Sequence, residues 1–218
     1  MKINILGFGF LFLLITFISQ AQIIEPNYYY RISNVWQENK SIDVANSGQM
    51  NIVWAAESGN YTGQFWKFTP MGNGYYRLTT AWQGPTRSLD IVNDGVNNDK
   101  PQLATSGNYS GQAWVITPVD LLPNVFRLTT AWRGVDLSLA VVNDGNNNRL
   151  QLLPSARDLT QCWRIEKIGP ISQYGEGKAP VIQEDPANKN IPLGQKYEKE
   201  IMKAWGDVQK MIEKKKKN

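Results

Sequence analysis

Histidine is absent from the 218 residues and cysteine occurs once, as Cys162. That removes imidazole general bases, Ser-His-Asp and Cys-His nucleophile arrangements, and the commonest transition-metal ligand together. The polar groups left for chemistry recur in matched places. Asp43 stands in Ser41-Ile42-Asp43-Val44 and Asp90 in Ser88-Leu89-Asp90-Ile91. Ser58-Gly59-Asn60-Tyr61-Thr62-Gly63 and Ser106-Gly107-Asn108-Tyr109-Ser110-Gly111 match each other in the same way. An ionised carboxylate accepts hydrogen bonds from paired hydroxyls, and an aromatic ring offers a flat apolar wall with little rotamer entropy to lose. Hydrolysis of a glycosidic bond would need two carboxyls about 5 to 10 Å apart across it. Asp43 and Asp90 instead occupy equivalent places in different repeats, so no catalytic residue, metal site or cofactor is assigned.

These residues are carried by a triplicated unit. Tyr30-Arg31-Ile32, Tyr76-Arg77-Leu78-Thr79-Thr80-Ala81-Trp82 and Phe126-Arg127-Leu128-Thr129-Thr130-Ala131-Trp132 open the copies. Gly63-Gln64-Phe65-Trp66, Gly111-Gln112-Ala113-Trp114 and Thr160-Gln161-Cys162-Trp163 come near their ends. The landmarks recur every 46 to 50 residues. A unit repeated at such a period cannot bury its apolar face alone and needs its copies. Within each copy the apolar residues alternate in short runs broken by Gly, Asn, Asp, Pro and Ser, which predicts an all-β barrel or sandwich of about four strands per repeat. Asn93-Asp94-Gly95 and Asn143-Asp144-Gly145 lie between runs that would pair, and predict tight hairpin turns. Asp43 and Asp90 are equally well placed to cap such turns.

Three in-phase Gln-x-Trp motifs resemble the ricin-type β-trefoil lectin family over about residues 27 to 168. The resemblance implies a threefold barrel capped by hairpins, with repeats at about 27–74, 75–124 and 125–169 inside a domain of 22–170. It implies that Trp66, Trp114 and Trp163 pack in the shared core. Gln64, Gln112 and Gln161 would hydrogen-bond the backbone of their own repeats. In sugar-binding members each repeat can hold one shallow site, in which the strand aspartate, a stacking ring and an amide meet one sugar. Carried over by position, repeat 1 supplies Asp43, Trp54, Asn60 and Tyr61, and repeat 2 supplies Asp90, Asn108 and Tyr109. Repeat 3 has Ala140 for the aspartate and Arg157-Asp158 for the Asn-Tyr pair, and reads as scaffold. The family's amide directly before the glutamine is Gly63 or Gly111 here, so Asn60 and Asn108 stand in. Places that often carry bridging cysteines hold Ser41 and Ser58, Ser88 and Ser106, Ser138 and Ser155. Trp36, Trp82 and Trp132 are left open between cap packing and exposed contact rings.

The flanks have other compositions. Lys2, an apolar run from Ile3 to Ile18 and Ser19-Gln20-Ala21 predict a secretory signal over 1–21, and so an exported chain, extracellular or periplasmic, with no membrane span once the signal is removed. A lone cysteine after it leaves no internal disulfide framework. Prolines and glycines over 171–194 predict a linker. Tyr197, Ile201, Trp205, Val208 and Ile212 predict a basic amphipathic helix over 195–218. That helix holds eight lysines against three glutamates and one aspartate, leaving residues 22–194 at a net −1. A near-neutral body does not look like a nucleic-acid binder. The expected ligand is a glycan or polysaccharide. The alternative is a non-catalytic scaffold meeting a protein partner through 195–218 or the tryptophan loops.

Overall fold

The computed structural model describes residues 24–45, 51–120 and 122–174. The expected signal, most of the expected linker and the expected helix over 195–218 lie outside the described residues. Twelve strands form three sets of four: β1 (Tyr28–Asn34), β2 (Lys40–Val44), β3 (Val53–Glu57) and β4 (Trp66–Gly72), then β5 (Tyr75–Thr80), β6 (Arg87–Ile91), β7 (Pro101–Thr105) and β8 (Trp114–Pro118), then β9 (Val125–Thr130), β10 (Leu137–Val141), β11 (Leu150–Pro154) and β12 (Trp163–Pro170). Strands β12, β9, β8, β5, β4 and β1 pair in that order, and β12 pairs with β1 to close a six-stranded ring. The remaining strands pair as the hairpins β2–β3, β6–β7 and β10–β11. This is the β-trefoil expected from the triplicated motif.

The motif residues lie where the three repeats converge. Trp66, Trp114 and Trp163 have no exposed surface. Their indole nitrogens donate to the carbonyls of Ile42, Leu89 and Leu139 at 2.9, 2.9 and 2.8 Å. Each indole thus fills the barrel and ties it to the first strand of its own cap. The glutamine amides are shared in the same threefold way. Their oxygens accept from Gly59, Gly107 and Ala156, each at 2.9 Å. Their nitrogens donate to the carbonyls of Glu57, Thr105 and Pro154 at 2.8, 2.9 and 2.8 Å. Buried polar atoms are tolerated only when paired, and here each side chain fixes the loop before it.

The serine pairs behave differently across the repeats. Ser41 and Ser58 meet at 2.7 Å and Ser88 and Ser106 at 2.6 Å. In repeat 3, Ser138 donates to Gln161 at 2.7 Å and Ser155 turns to the Val135 carbonyl at 2.6 Å. The hairpins also depart from the tight turns expected at Asn93-Asp94-Gly95 and Asn143-Asp144-Gly145. The connections run over residues 92–100 and 142–149. Gly95 and Gly145 do take positive φ, +81 and +89°. The turns are held by side chains: the Asp94 carboxylate accepts from the backbone of Val96 and Asn97 at 2.8 and 2.6 Å, and Asp144 from Asn147 at 3.0 Å. An aspartate that satisfies two backbone donors stabilises a longer loop than a two-residue turn.

The expected linker also begins later than its composition implied. Ile171–Tyr174 forms one helical turn, and Tyr174 packs on Tyr29 and Phe65 with ring centroids 6.1 and 5.7 Å apart. Among the described residues no helix is long and apolar enough to cross a membrane, and no cluster of acidic, histidine or cysteine side chains could hold a metal ion.

Cys162 is buried with Val35, Leu122 and Val125, and burial pushes its thiol up to about 11. The thiolate is the reacting form, so Cys162 is expected to resist thiol reagents at neutral pH in the native protein and to label at once in denaturant. Labelling with an absorbing disulfide reagent checks this.

Candidate functional site

Strand alternation turns Asp43 outward between the buried Ile42 and Val44. Its carboxylate accepts from the Val44 backbone at 2.7 Å and from the Gln64 amide at 3.1 Å. The motif glutamine that orders the loop therefore also steadies the acidic group. Trp54 is the cross-strand partner of Asp43 on β3. A cleft of about 230 Å³ opens on this face, and Asp43, Trp54, Asn60, Tyr61 and Trp82 line it with Gly63 at its base. All four residues expected in repeat 1 thus meet in one place. Trp54 and Tyr61 are 39% and 60% exposed, so their rings are open to a ligand.

The loop carrying Asn60 and Tyr61 is built from the repeated arginine and glycines. Arg31 donates to the Gly59 carbonyl at 2.8 Å and lies 3.4 Å from the Asn60 side-chain oxygen. Arg77 does the same to Gly107 and Asn108, at 2.8 and 3.4 Å. This leaves the amide nitrogens of Asn60 and Asn108 as the groups free to donate. A Cβ on Gly59 would come within 2.4 Å of the Tyr61 ring, and one on Gly107 within 2.4 Å of Tyr109. Each tyrosine lies across its glycine, which holds the ring in place without burying it.

The absent amide before the motif glutamine has a steric cause. A Cβ on Gly63 would stand 2.4 Å from an Asp43 carboxylate oxygen, and one on Gly111 2.6 Å from Asp90. In repeat 3 both members of the pair change, with Ala140 and Thr160 in these places. Removing the carboxylate leaves room for a side chain. Gly63→Ala is therefore expected to cost about 1–3 kcal/mol by overpacking. Asp43→Ala in the same chain should recover a large part of that, a coupling a denaturant double-mutant cycle measures. Strict additivity would contradict the steric account.

Repeat 2 repeats the acceptor with different neighbours. The Asp90 carboxylate accepts from the Ile91 backbone at 2.9 Å, and the nearby Gln112 and Gln102 amides favour its charged form. Gln102, not a ring, stands opposite Asp90 on β7. Tyr109 is 62% exposed. Partial burial pushes both carboxyls above the ordinary carboxylate range, against the hydrogen bonds they accept. In repeat 3 Ala140 is fully buried, and Asp158 accepts from the Thr160 backbone at 2.9 Å to cap a short 3-10 turn. In the described β6–β7 turn, the capping carboxylate is that of Asp94, not Asp90.

The sequence does not decide the place of Trp82, and the structure gives it to the cleft of the preceding repeat. Its backbone donates to the Thr62 carbonyl at 3.2 Å, as Trp132 donates to Ser110 at 3.2 Å. Both rings also pack partly on the core. Strand β5 pairs with β4, so the chain just after β5 returns beside the loop of repeat 1. A repeat-by-repeat alignment cannot show this contribution.

A model of the ricin-type beta-trefoil lectin domain-like family matches residues 19–106, a span that includes Asp43 and Asp90 and stops before the third repeat. A search of curated proteins finds no match. Among solved structures the chain is similar to a designed threefold-symmetric protein, ThreeFoil, at 21% identity over 64% of this chain and 99% of that one, with a TM-score of 0.53. It is similar to a Macrolepiota procera ricin B-like lectin in complex with lactose, at 19% identity over 67% of this chain and 99% of that one, with a TM-score of 0.55. It is also similar to a Polyporus squamosus lectin bound to Neu5Aca2-6Galb1-4GlcNAc, at 15% identity over 66% of this chain and 50% of that one, with a TM-score of 0.53. At these identities the likeness shows the fold. The expected resemblance to the family, and the expected fold, are borne out.

Proposed function

We propose that this β-trefoil is a secreted, non-catalytic carbohydrate-binding protein of the ricin type with up to two weak sites, in repeats 1 and 2. The observation that carries the reading is the cleft of repeat 1, where an ionisable acceptor, an exposed indole and an exposed phenol converge. The carboxylates of Asp43 and Asp90 accept from sugar hydroxyls. Asn60 and Asn108 donate to ring or hydroxyl oxygens. Trp54 and Tyr61, or Tyr109, cover the apolar face of the pyranose. Shallow sites of this kind reach about the millimolar range singly, near −4 kcal/mol, so useful retention comes from engaging more than one. Two of the similar structures carry bound sugars, lactose and a sialylated trisaccharide, which agrees with this reading. The apolar run from Ile3 to Ile18 followed by Ser19-Gln20-Ala21 reads as a secretory signal, which supports export.

The experiment is retention of the full chain on a printed glycan array at neutral pH and on acidification. Retention on at least one glycan class is expected, and retention on none overturns the reading. The pH dependence follows from the raised carboxyls. Only the ionised form accepts from two hydroxyls, so binding is held at neutral pH and lost as the pH falls. Because the folded-state values are raised, the loss begins above the ordinary carboxylate value of about 4. Stability moves the opposite way at these groups: the native state holds their protons more tightly, so acidification relieves a cost of burying them charged. Retention unchanged down to about pH 3 would contradict the acceptor role.

A further inference from the structure

The two candidate sites are joined across the border between repeats 1 and 2. Asp43 pairs with Trp54, Asp90 pairs with Gln102, and Ile52 forms an isolated bridge with Gln102. The Leu103 backbone donates to the Asn51 carbonyl at 2.8 Å and locks the same junction. Residues opposite in a ladder point to one face, as do residues two apart in a strand. Asp43, Trp54, Ile52, Gln102 and Asp90 therefore form one outward row, flanked by the buried Val44, Val53, Leu103 and Ile91. At about 5 Å per cross-strand step and about 6.6 Å per two residues, its contour is about 22 Å. Ile52 is 42% exposed, beside the 39% exposed Trp54.

The other two borders are built differently. Equivalent hydrogen bonds join Leu152 to Asp99 and Ala55 to Asn148, both at 2.8 Å. The residues at the place of Ile52 are then Lys100 and Arg149. Beyond Lys100 stand Gln151 and its partner Ala140, with neither ring nor carboxylate. Arg149 is turned to Asp144 and Gln151 at 3.2 and 3.4 Å. One border of three thus runs from one carboxylate to another with no charged side chain between them, through Trp54, Ile52 and Gln102.

We infer that this row is a single track for one extended oligosaccharide, bound along its length with Asp43 and Asp90 holding hydroxyls near its two ends. Trp54 and Ile52 carry the apolar faces of the sugar rings between them, and Gln102 donates and accepts at the Asp90 end. The ligand class is then the internal stretch of a polysaccharide, not two separate terminal sugars. This rests on the carbohydrate reading above.

The test uses the full chain on an array bearing each glycan class as single units, dimers and linear oligomers of up to six units, followed by solution titration with the class retained most strongly. One chain engaging both ends makes the second contact intramolecular, so affinity is expected to rise by roughly 100-fold from single unit to long oligomer. Ile52→Lys places the residue of repeat 2 in repeat 1. It is expected to remove about tenfold of the long-oligomer affinity while single-unit affinity and thermal unfolding stay unchanged. Asp43→Ala and Asp90→Ala should each abolish the dependence on length. Affinity that is independent of length, or a length dependence untouched by Ile52→Lys and by either aspartate change, overturns the track and leaves the two-site reading standing. Absence of binding to every class and length overturns both.

Discussion

Asp43→Ala combined with Asp90→Ala is expected to abolish retention on a glycan matrix, and each single change is expected to leave partial retention. A hydrogen bond to a charged acceptor contributes about 1.5–3 kcal/mol, more than tenfold in affinity at one site. A site that begins near millimolar has little left after that loss. Either single variant keeps one acceptor but loses the multivalent gain, so retention drops steeply without vanishing. The control lies in the third repeat, where Ala140 already stands at the equivalent place in a fully buried position. Both aspartates are half exposed and the Ala140 cap keeps its strand pairing, so the double variant is expected to fold. Retention unchanged in the double variant, with native circular dichroism, removes the acceptor from the account.

The second large effect is on stability. Trp114→Ala empties a site with no exposed surface and strips the Leu89 carbonyl of its donor at 2.9 Å. Large-to-small changes of a core aromatic cost about 3–5 kcal/mol, set against a total of about 5–15 kcal/mol for a domain. For a domain near this size that is a fall of about 10 °C in Tm. Trp114→Phe keeps much of the volume but orphans the same carbonyl, and is expected to cost less. Gln112→Ala leaves Gly107 and Thr105 without partners and should loosen the loop that carries Asn108 and Tyr109. Thermal unfolding measured by near-ultraviolet circular dichroism orders the three variants.

The parts of this molecule that repeat were legible in its sequence. Three Gln-x-Trp motifs in phase require three equivalent core positions, and one barrel provides them. The acceptors were legible for the same reason, since Asp43 and Asp90 share a place that Ala140 vacates. What escaped is what depends on one repeat touching the next. Trp82 joins the cleft of repeat 1 only because β5 pairs with β4, and Ile52 reaches Gln102 only through a bridge between caps. The glycine before each of the first two motif glutamines is missing an amide because the aspartate occupies its Cβ position, a clash visible only in three dimensions. The turns run longer than their Asn-Asp-Gly signals imply because Asp94 and Asp144 satisfy backbone donors that a two-residue turn would not expose. Pro and Gly counts hid the docked Tyr174, whose own neighbourhood, Ile171-Ser172-Gln173, is compatible with a helical turn.

The most direct test of two acidic lobes beside one inert lobe is an amide NMR titration of the full chain with the short form of its best array glycan. Val44 and Ile91 donate to the two acceptors, and Val141 is their counterpart after Ala140. Dose-dependent shifts at Val44, Gly63, Ile91 and Gly111, with Val141 and Thr160 unmoved, are the predicted result. Shifts centred on Val141 and Thr160, or spread equally over all three lobes, would contradict it.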